Sequence, residues 1–205
     1  MLPEDVVEPA GVLVTTPART AADLSRLLAR PDALAALDVL VGLPAMSGEL
    51  VNEVLDRFAG YRGVIQAREL VQLADPRAES PQESRTRLRC VDAGFPCPEP
   101  QIEVFDETDD LIARLDMGWR ELLKALEFDG DEGHSSSEQQ THDLARRKRV
   151  ERRGWDVAVV TSEHVLSRSL AFERGVEELL GMQMRLTRNH PRFGGWDPRS
   201  RWAEA

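Results

Sequence analysis

The sequence predicts an α/β chain, with a helical N-terminal segment leading into a mixed β-sheet flanked by helices. Three observations predict it. The stretch from Ile112 to His134, IARLDMGWRELLKALEFDGDEGH, reads as two strands joined by a short turn. The apolar run Leu122, Leu123, Ala125, Leu126 and Phe128 describes a strand buried on both faces, whereas QIEVF from Gln101 to Phe105 alternates as an edge strand does. WDVAVVT, Trp155 to Thr161, is a further buried strand, and the helix before it would set it parallel to the acidic strands in a right-handed crossover.

Each element follows in chain order. GVLVT, Gly11 to Thr15, suits a short strand. Thr16 and Pro17 then offer an N-cap and a first-turn proline to a helix whose Ala21, Leu24, Leu27 and Leu28 form one stripe and whose Arg19 and Asp23 stand one turn apart. Pro31 is expected to end that helix, with a second from Ala33 to Val41. Ser47 caps a third helix carrying Leu50, Val54, Leu55 and Phe58, and Gly60 and Gly63 break the pattern before Val64 to Ala74 resumes it. This helical segment, residues 1–76, carries no chemical motif and would serve as an interface for a protein partner.

A linker, DPRAES, precedes a second domain over residues 77–186. Its first helix starts at a Ser80-x-x-Glu83 capping box and stops at Gly94. Three prolines in FPCPEP make an extended connector to the edge strand, and Asp106 to Asp110 turn into Leu111 to Asp116. Ser136 or Ser137 caps the crossover helix, which ends before Gly154. A last helix is expected from about Ser167 to Leu186. Residues 187–205, rich in Gly, Pro and Arg, read as a basic, disordered tail.

Composition sets outer limits. A chain of 205 residues suits one domain with an attached segment, and 41% hydrophobic with 30% charged residues is ordinary for a soluble globular protein. No apolar run approaches membrane-spanning length and the first residues are acidic, so a cytoplasmic protein without membrane contact is expected. Two cysteines, Cys90 and Cys97, without ligand-spaced neighbours read as reduced and structural. A net charge of −10 argues against nonspecific coating of nucleic acid. Positive charge is instead concentrated in ARRKRVERR, Ala145 to Arg153, and from Arg185 to Arg201.

The chemistry rests on carboxylates. Asp116 ends the first central strand, and Glu127 and Asp129, two apart, share a face at the end of the second. Three carboxylates at one sheet edge are costly unless a cation sits among them, and Mg2+ or Mn2+ takes such oxygen ligands. The plainer alternative is a solvated turn, since Asp129-Gly130 is a strong turn signal. Glu83 is likewise explained by its capping box alone. Lys124, at an odd offset from Glu127, faces the other side of the sheet, so a cation for the site would come from Arg146 or Lys148 on the next helix. Asp143 and Arg146, one turn apart, would otherwise pair with each other.

Glu83 in SPQESRTR, Asp116 in RLD, the string ALEFDG, His134, Asp143 with Arg146, and Gly154-Trp155 together resemble the DUF559 branch of the PD-(D/E)xK nuclease superfamily, relatives of the very-short-patch-repair endonucleases. The resemblance covers roughly Ser80 to Leu166. It implies a restriction-endonuclease-like three-layer core, α-β-β-β-α-β, and divalent-metal-dependent hydrolysis of DNA phosphodiester bonds. It further implies that Asp116, Glu127 and Glu83 hold Mg2+ or Mn2+, that Asp129 tunes the site, and that His134 assists proton transfer. Gln101 would lie near the active site. Arg146, Lys148 and Arg149 are the expected contacts to DNA, and no small-molecule cofactor is expected. In similar proteins a TTPART-like strand and helix follow a winged-helix-like region of the type seen in AbiEi antitoxins, so this chain reads as a shortened member. Asp129 stands where the superfamily has its usual lysine. That departure supports the alternative of a catalytically degenerate nuclease fold acting in DNA or protein binding, or as a toxin-antitoxin or regulatory component.

Overall fold

Residues 1–129 and 137–193 are described by the computed structural model, with side chains from residue 144 onward in the second range. The expected α/β class is what the chain adopts: eight α-helices and a four-stranded mixed sheet among the described residues. The chain divides into two compact units whose boundary falls between Arg85 and Thr86. The sequence reading placed it near residue 76. The difference arises because the boundary lies inside a continuous helix, α5, rather than in the linker before it.

The first unit carries a small antiparallel sheet, β1 (Val6–Val7) and β2 (Val14–Thr15), and four helices, α1 (Pro17–Leu27), α2 (Arg30–Val41), α3 (Gly48–Asp56) and α4 (Val64–Val71). Thr16 Oγ1 accepts the Arg19 N–H at 3.2 Å and Ser47 Oγ accepts that of Leu50 at 3.4 Å, both as N-caps. Pro31 does not end a helix as expected. It lies in the first turn of α2, where a proline lacks no hydrogen bond that the helix needs. Leu34, Leu37, Leu55 and Leu70 are fully buried between the helices. Asp5, also buried, receives Arg19 and Arg57. The Leu2 N–H chiefly, and then those two guanidiniums, hold its carboxyl down at about 2 against the opposing effect of burial.

In the second unit, α5 (Pro81–Asp92) enters from the first and leads to β3 (Glu99–Phe105), β4 (Leu111–Trp119), β5 (Lys124–Phe128), α6 (Ser137–Arg152), β6 (Asp156–Val160), α7 (Ser162–Leu166) and α8 (Ala171–Leu180). The sheet order is β3-β4-β5-β6. The first two pairings are antiparallel and β5-β6 is parallel, across the α6 crossover. β5 is therefore central, as its apolar run requires, although Leu122 ends a 3-10 turn before it, Leu123 caps that turn, and both are exposed. Leu123 takes a left-handed φ of 53° to reverse the chain there. β6 is the opposite edge and is less buried than its sequence suggested.

Helices cover both faces. Val150 of α6 packs with Ile112, Ala125 and Val157 on one side, while Phe172 and Val176 of α8 meet Leu126, Ala158 and Val160 on the other. The helix expected from about Ser167 to Leu186 is α8 alone, shorter at both ends, and α7 precedes that range. Ser167 and Ser169 form a turn between α7 and α8, and Gly181, at φ 64°, ends α8 in the left-handed conformation that favours glycine.

The stretch from 187, expected to be a disordered tail, is instead packed as far as 193, with a 3-10 turn at Pro191–Phe193 and a fully buried His190. His190 meets Glu173 at 2.6 Å, and Glu173 also takes Arg89 Nε at 2.6 Å, all three side chains being without solvent exposure. Burial alone would raise the Glu173 carboxyl, but the His190 and Arg89 hydrogen bonds and the Arg89 charge hold it below its ordinary value. Arg89 Nη2 also donates to Glu173 Oε2 at 3.1 Å, and its two Nη groups reach the carbonyls of His164, Val165, Ser167 and Ser169, so one arginine closes the α7–α8 loop. Cys90 is buried, which pushes its thiol well up, whereas Cys97 is exposed and so is no part of the core; the two form no disulfide.

Candidate acidic and arginine-lined active site

Strand pairing decides which carboxylates share a side of the sheet. The last residues paired between β4 and β5 are Met117 and Leu126, so Asp116 and Glu127 come next on the two strands, facing alike. Beyond that pair the ladder gives way. The Phe128 N–H donates to Asp116 Oδ2 at 2.7 Å, while the Asp129 N–H turns to the carbonyl of Val160 on β6 at 2.8 Å. The close approach of the two strands depends on Gly118, opposite Ala125, where a Cβ would lie 2.4 Å from the Lys124 carbonyl oxygen.

Arg114, Asp116, Glu127, Phe128, Asp129, Arg146, Arg147 and Val159 line one cleft of about 300 Å3. Across it, α6 sets Arg146 against Glu127, Nη1 to Oε1 at 2.9 Å and Nη2 to Oε2 at 3.4 Å. Val150 fixes this geometry, because Arg146 lies one turn before it on the helix edge that faces the sheet. Lys124 points to the other side, as expected, and pairs there with Asp156 at 2.7 Å. The cation of the site is thus an arginine from the next helix.

Of the predicted site residues, Asp116, Glu127, Asp129 and Arg146 come together. Lys148 and Arg149 are exposed on α6 outside this cleft, and Arg149 holds Asp106 of the β3–β4 turn at 3.1 Å. Glu83 belongs to the other unit, where its Oε2 accepts the Glu79 N–H and its own N–H is capped by Ser80 Oγ, both at 3.1 Å. The capping-box explanation thus accounts for its position, with the backward bond reaching Glu79 rather than Ser80. His134 and the side chain of Asp143 lie outside the described residues.

Two arginines were missed. Arg114 was legible in principle, being two positions before Asp116 on the same strand face, and Arg147 adjoins Arg146. Gln101 lies between the pairs Pro100–Met117 and Ile102–Leu115, hence opposite Asp116, with a left-handed φ of 55° that few non-glycine residues adopt.

The chain has relatives in Mycobacterium tuberculosis. Uncharacterized protein MT2308 of strain CDC 1551 / Oshkosh and Uncharacterized protein Rv2248 of strain ATCC 25618 / H37Rv are each 35% identical to it over 157 residues. The match takes in 76% of this chain and 57% of each relative, so the chain spans a little over half the length of the relatives it matches. No protein-family model and no solved structure matches it.

The donor chemistry suits a hard cation, since carboxylates make up the acidic half of the cleft. Among the described residues no group of three or more His, Cys, Asp and Glu side chains is disposed to ligate a metal ion. A Mg2+ ion does not require such a cage, because it retains several waters and binds through one or two carboxylates together with substrate phosphates. Asp116 and Glu127 are the carboxylates that would answer that smaller demand, and Glu127 is paired with Arg146.

Proposed function

We propose that the second unit is a restriction-endonuclease-like nuclease domain and that this cleft hydrolyses phosphodiester bonds of DNA with a divalent cation. The observation that carries this reading is the placing of Asp116 and Glu127 on one face of adjacent central strands, inside a cleft whose other charged groups are mostly arginines. The helix-strand-strand-strand-helix-strand order from α5 to β6 agrees with it.

Asp116 and Glu127 would hold the cation, and Asp129 would shape the field around it. A divalent cation bound there supplies charge neutralisation at the phosphate and a more acidic water. The protein's own part is positional. Asp116 is oriented by the Phe128 N–H, and Arg146, displaced from Glu127, is within reach of an entering phosphate, to which its planar fork is matched. Arg114 and Arg147 add positive charge to the cleft walls. Nicking of supercoiled plasmid in Mg2+ or Mn2+ is expected from the intact protein and is expected to vanish in Asp116→Ala. Equal nicking by both would remove Asp116 from the mechanism.

The Arg146–Glu127 pair also favours a second reading. An arginine fork on the would-be ligand, with Asp129 in place of a lysine, suits a nuclease fold that has lost its chemistry and binds DNA or a protein as a regulatory or toxin-antitoxin component. That reading predicts binding indifferent to Mg2+ and no turnover with any metal.

A further inference from the structure

Six cations crowd residues 146 to 153, at the end of α6, against the one acid Glu151. With Val150 seated on the sheet, Arg146, Arg149 and Arg153 fall four before, one before and three after it, along the helix edges that border the sheet. Each meets a carboxylate: Arg146 with Glu127 at 2.9 Å, Arg149 with Asp106 at 3.1 Å and Arg153 with Glu107 at 3.8 Å. The last two pairs border a second cleft of about 360 Å3, which Arg152 also lines. The acids come from the β3–β4 turn, DETDD, with four carboxylates in five residues.

We propose that this edge of α6 binds the sugar-phosphate backbone of a nucleic acid, and that Glu127, Asp106 and Glu107 stand in for its phosphates until it arrives. At about 1.5 Å per residue the row from Arg146 to Arg153, just past the end of α6, is about 10 Å long, comparable with about three base-pair steps of about 3.4 Å measured along the duplex axis. A guanidinium donates to phosphate as it does to carboxylate; Arg146 already makes two contacts with its acid and Arg149 one, while Arg153 stands 3.8 Å from Glu107, so phosphate oxygens can replace the acids from the same side. The acidic turn then acts as an internal competitor. It suppresses binding of nonspecific polyanions while leaving the row available to a backbone that also fills the first cleft.

The oxygens of Asp106 divide the work, which makes the idea separable from folding. Oδ1 accepts the Thr108 N–H, the Thr108 hydroxyl and the Asp110 N–H, whereas Oδ2 faces Arg149. An asparagine retains the first acceptor and removes the competing charge. Glu107 is largely exposed, so its replacement by glutamine disturbs no packing.

The inference takes its partner from the nuclease reading but does not depend on turnover, so the test is run in EDTA. Anisotropy titrations of a labelled duplex oligonucleotide with the full chain are expected to show severalfold tighter binding by Asp106→Asn/Glu107→Gln. Arg149→Gln/Arg153→Gln should weaken binding and reduce the slope of log affinity against log salt by about two. Thermal melts verify that both variants fold. Unchanged affinity in either double variant, or a preference for anionic vesicles over the oligonucleotide, would overturn the proposal. If affinities are unchanged while nicking remains dependent on Asp116, the arginine row is wrong and the nuclease reading survives. If they change as stated without nicking in any metal, the row stands and the nuclease reading falls.

Discussion

The guanidinium of Arg146 closes on the carboxylate of Glu127, with contacts of 2.9 and 3.4 Å, and so engages both oxygens that the proposed cation would draw on. The pair is part-buried, with 38% of Arg146 and 17% of Glu127 side-chain surface exposed. It is therefore only partly shielded from solvent, and on the proposed reading Glu127 would exchange it for the cation.

Removing the competing cation should expose this. Arg146→Ala is expected to bind Mn2+ severalfold more tightly than the intact protein in calorimetric titration, because Glu127 no longer has to give up a charged partner. Weaker binding in the variant would mean that Arg146 supports the cation site instead of competing for it.

Gly118 is a close-packing requirement next to the site. A Cβ there would lie 2.4 Å from the Lys124 carbonyl oxygen and 3.0 Å from Ala125 Cα, both backbone atoms with little freedom to move. Gly118→Ala should cost about 1–3 kcal/mol in urea unfolding, the usual penalty of overpacking, and should disturb the setting of Asp116 two residues away. Unaltered stability would show that β4 and β5 separate easily.

The buried Arg89–Glu173–His190 group is a stability element. Glu173→Ala leaves a buried guanidinium without its counter-charge and is expected to cost about 3–5 kcal/mol, measured by denaturant unfolding. A chain ending before residue 187 loses His190 and should be destabilised in the same direction, but by less.

Asp5 supplies a pH dependence. Its carboxyl titrates at about 2 when folded, below the ordinary 3.8, so its contribution is complete above the ordinary value and is lost as pH falls through the folded one. The melting-temperature gap between the intact protein and Asp5→Asn should be constant near neutrality and narrow as pH falls through that window. A constant gap throughout would disconnect Arg19 and Arg57 from the Asp5 charge.

What the sequence made legible follows from the range of the interactions. The common face of Asp116 and Glu127 was readable because it needs only the two-residue period of a strand and a short turn. The same period placed Lys124 on the other side. The Arg146–Glu127 pair was not readable, since Asp143 offered Arg146 an equally good partner one turn away, and only the seating of Val150 on the sheet turns Arg146 towards β5. The Arg89–Glu173 pair joins residues 84 positions apart, and nothing in the sequence of α5 distinguishes Arg89 from Arg85 and Arg87 on the same helix. The break at Gly181 was a local signal, overlooked because apolar spacing continues beyond it to Met184.

The most direct measurement is a calorimetric Mn2+ titration of the intact protein beside Glu127→Gln and Arg146→Ala. Saturable binding by the intact protein, strengthened in Arg146→Ala and lost in Glu127→Gln, is the predicted result. Absence of binding in both the intact protein and Arg146→Ala would contradict a cation site shared by Asp116 and Glu127.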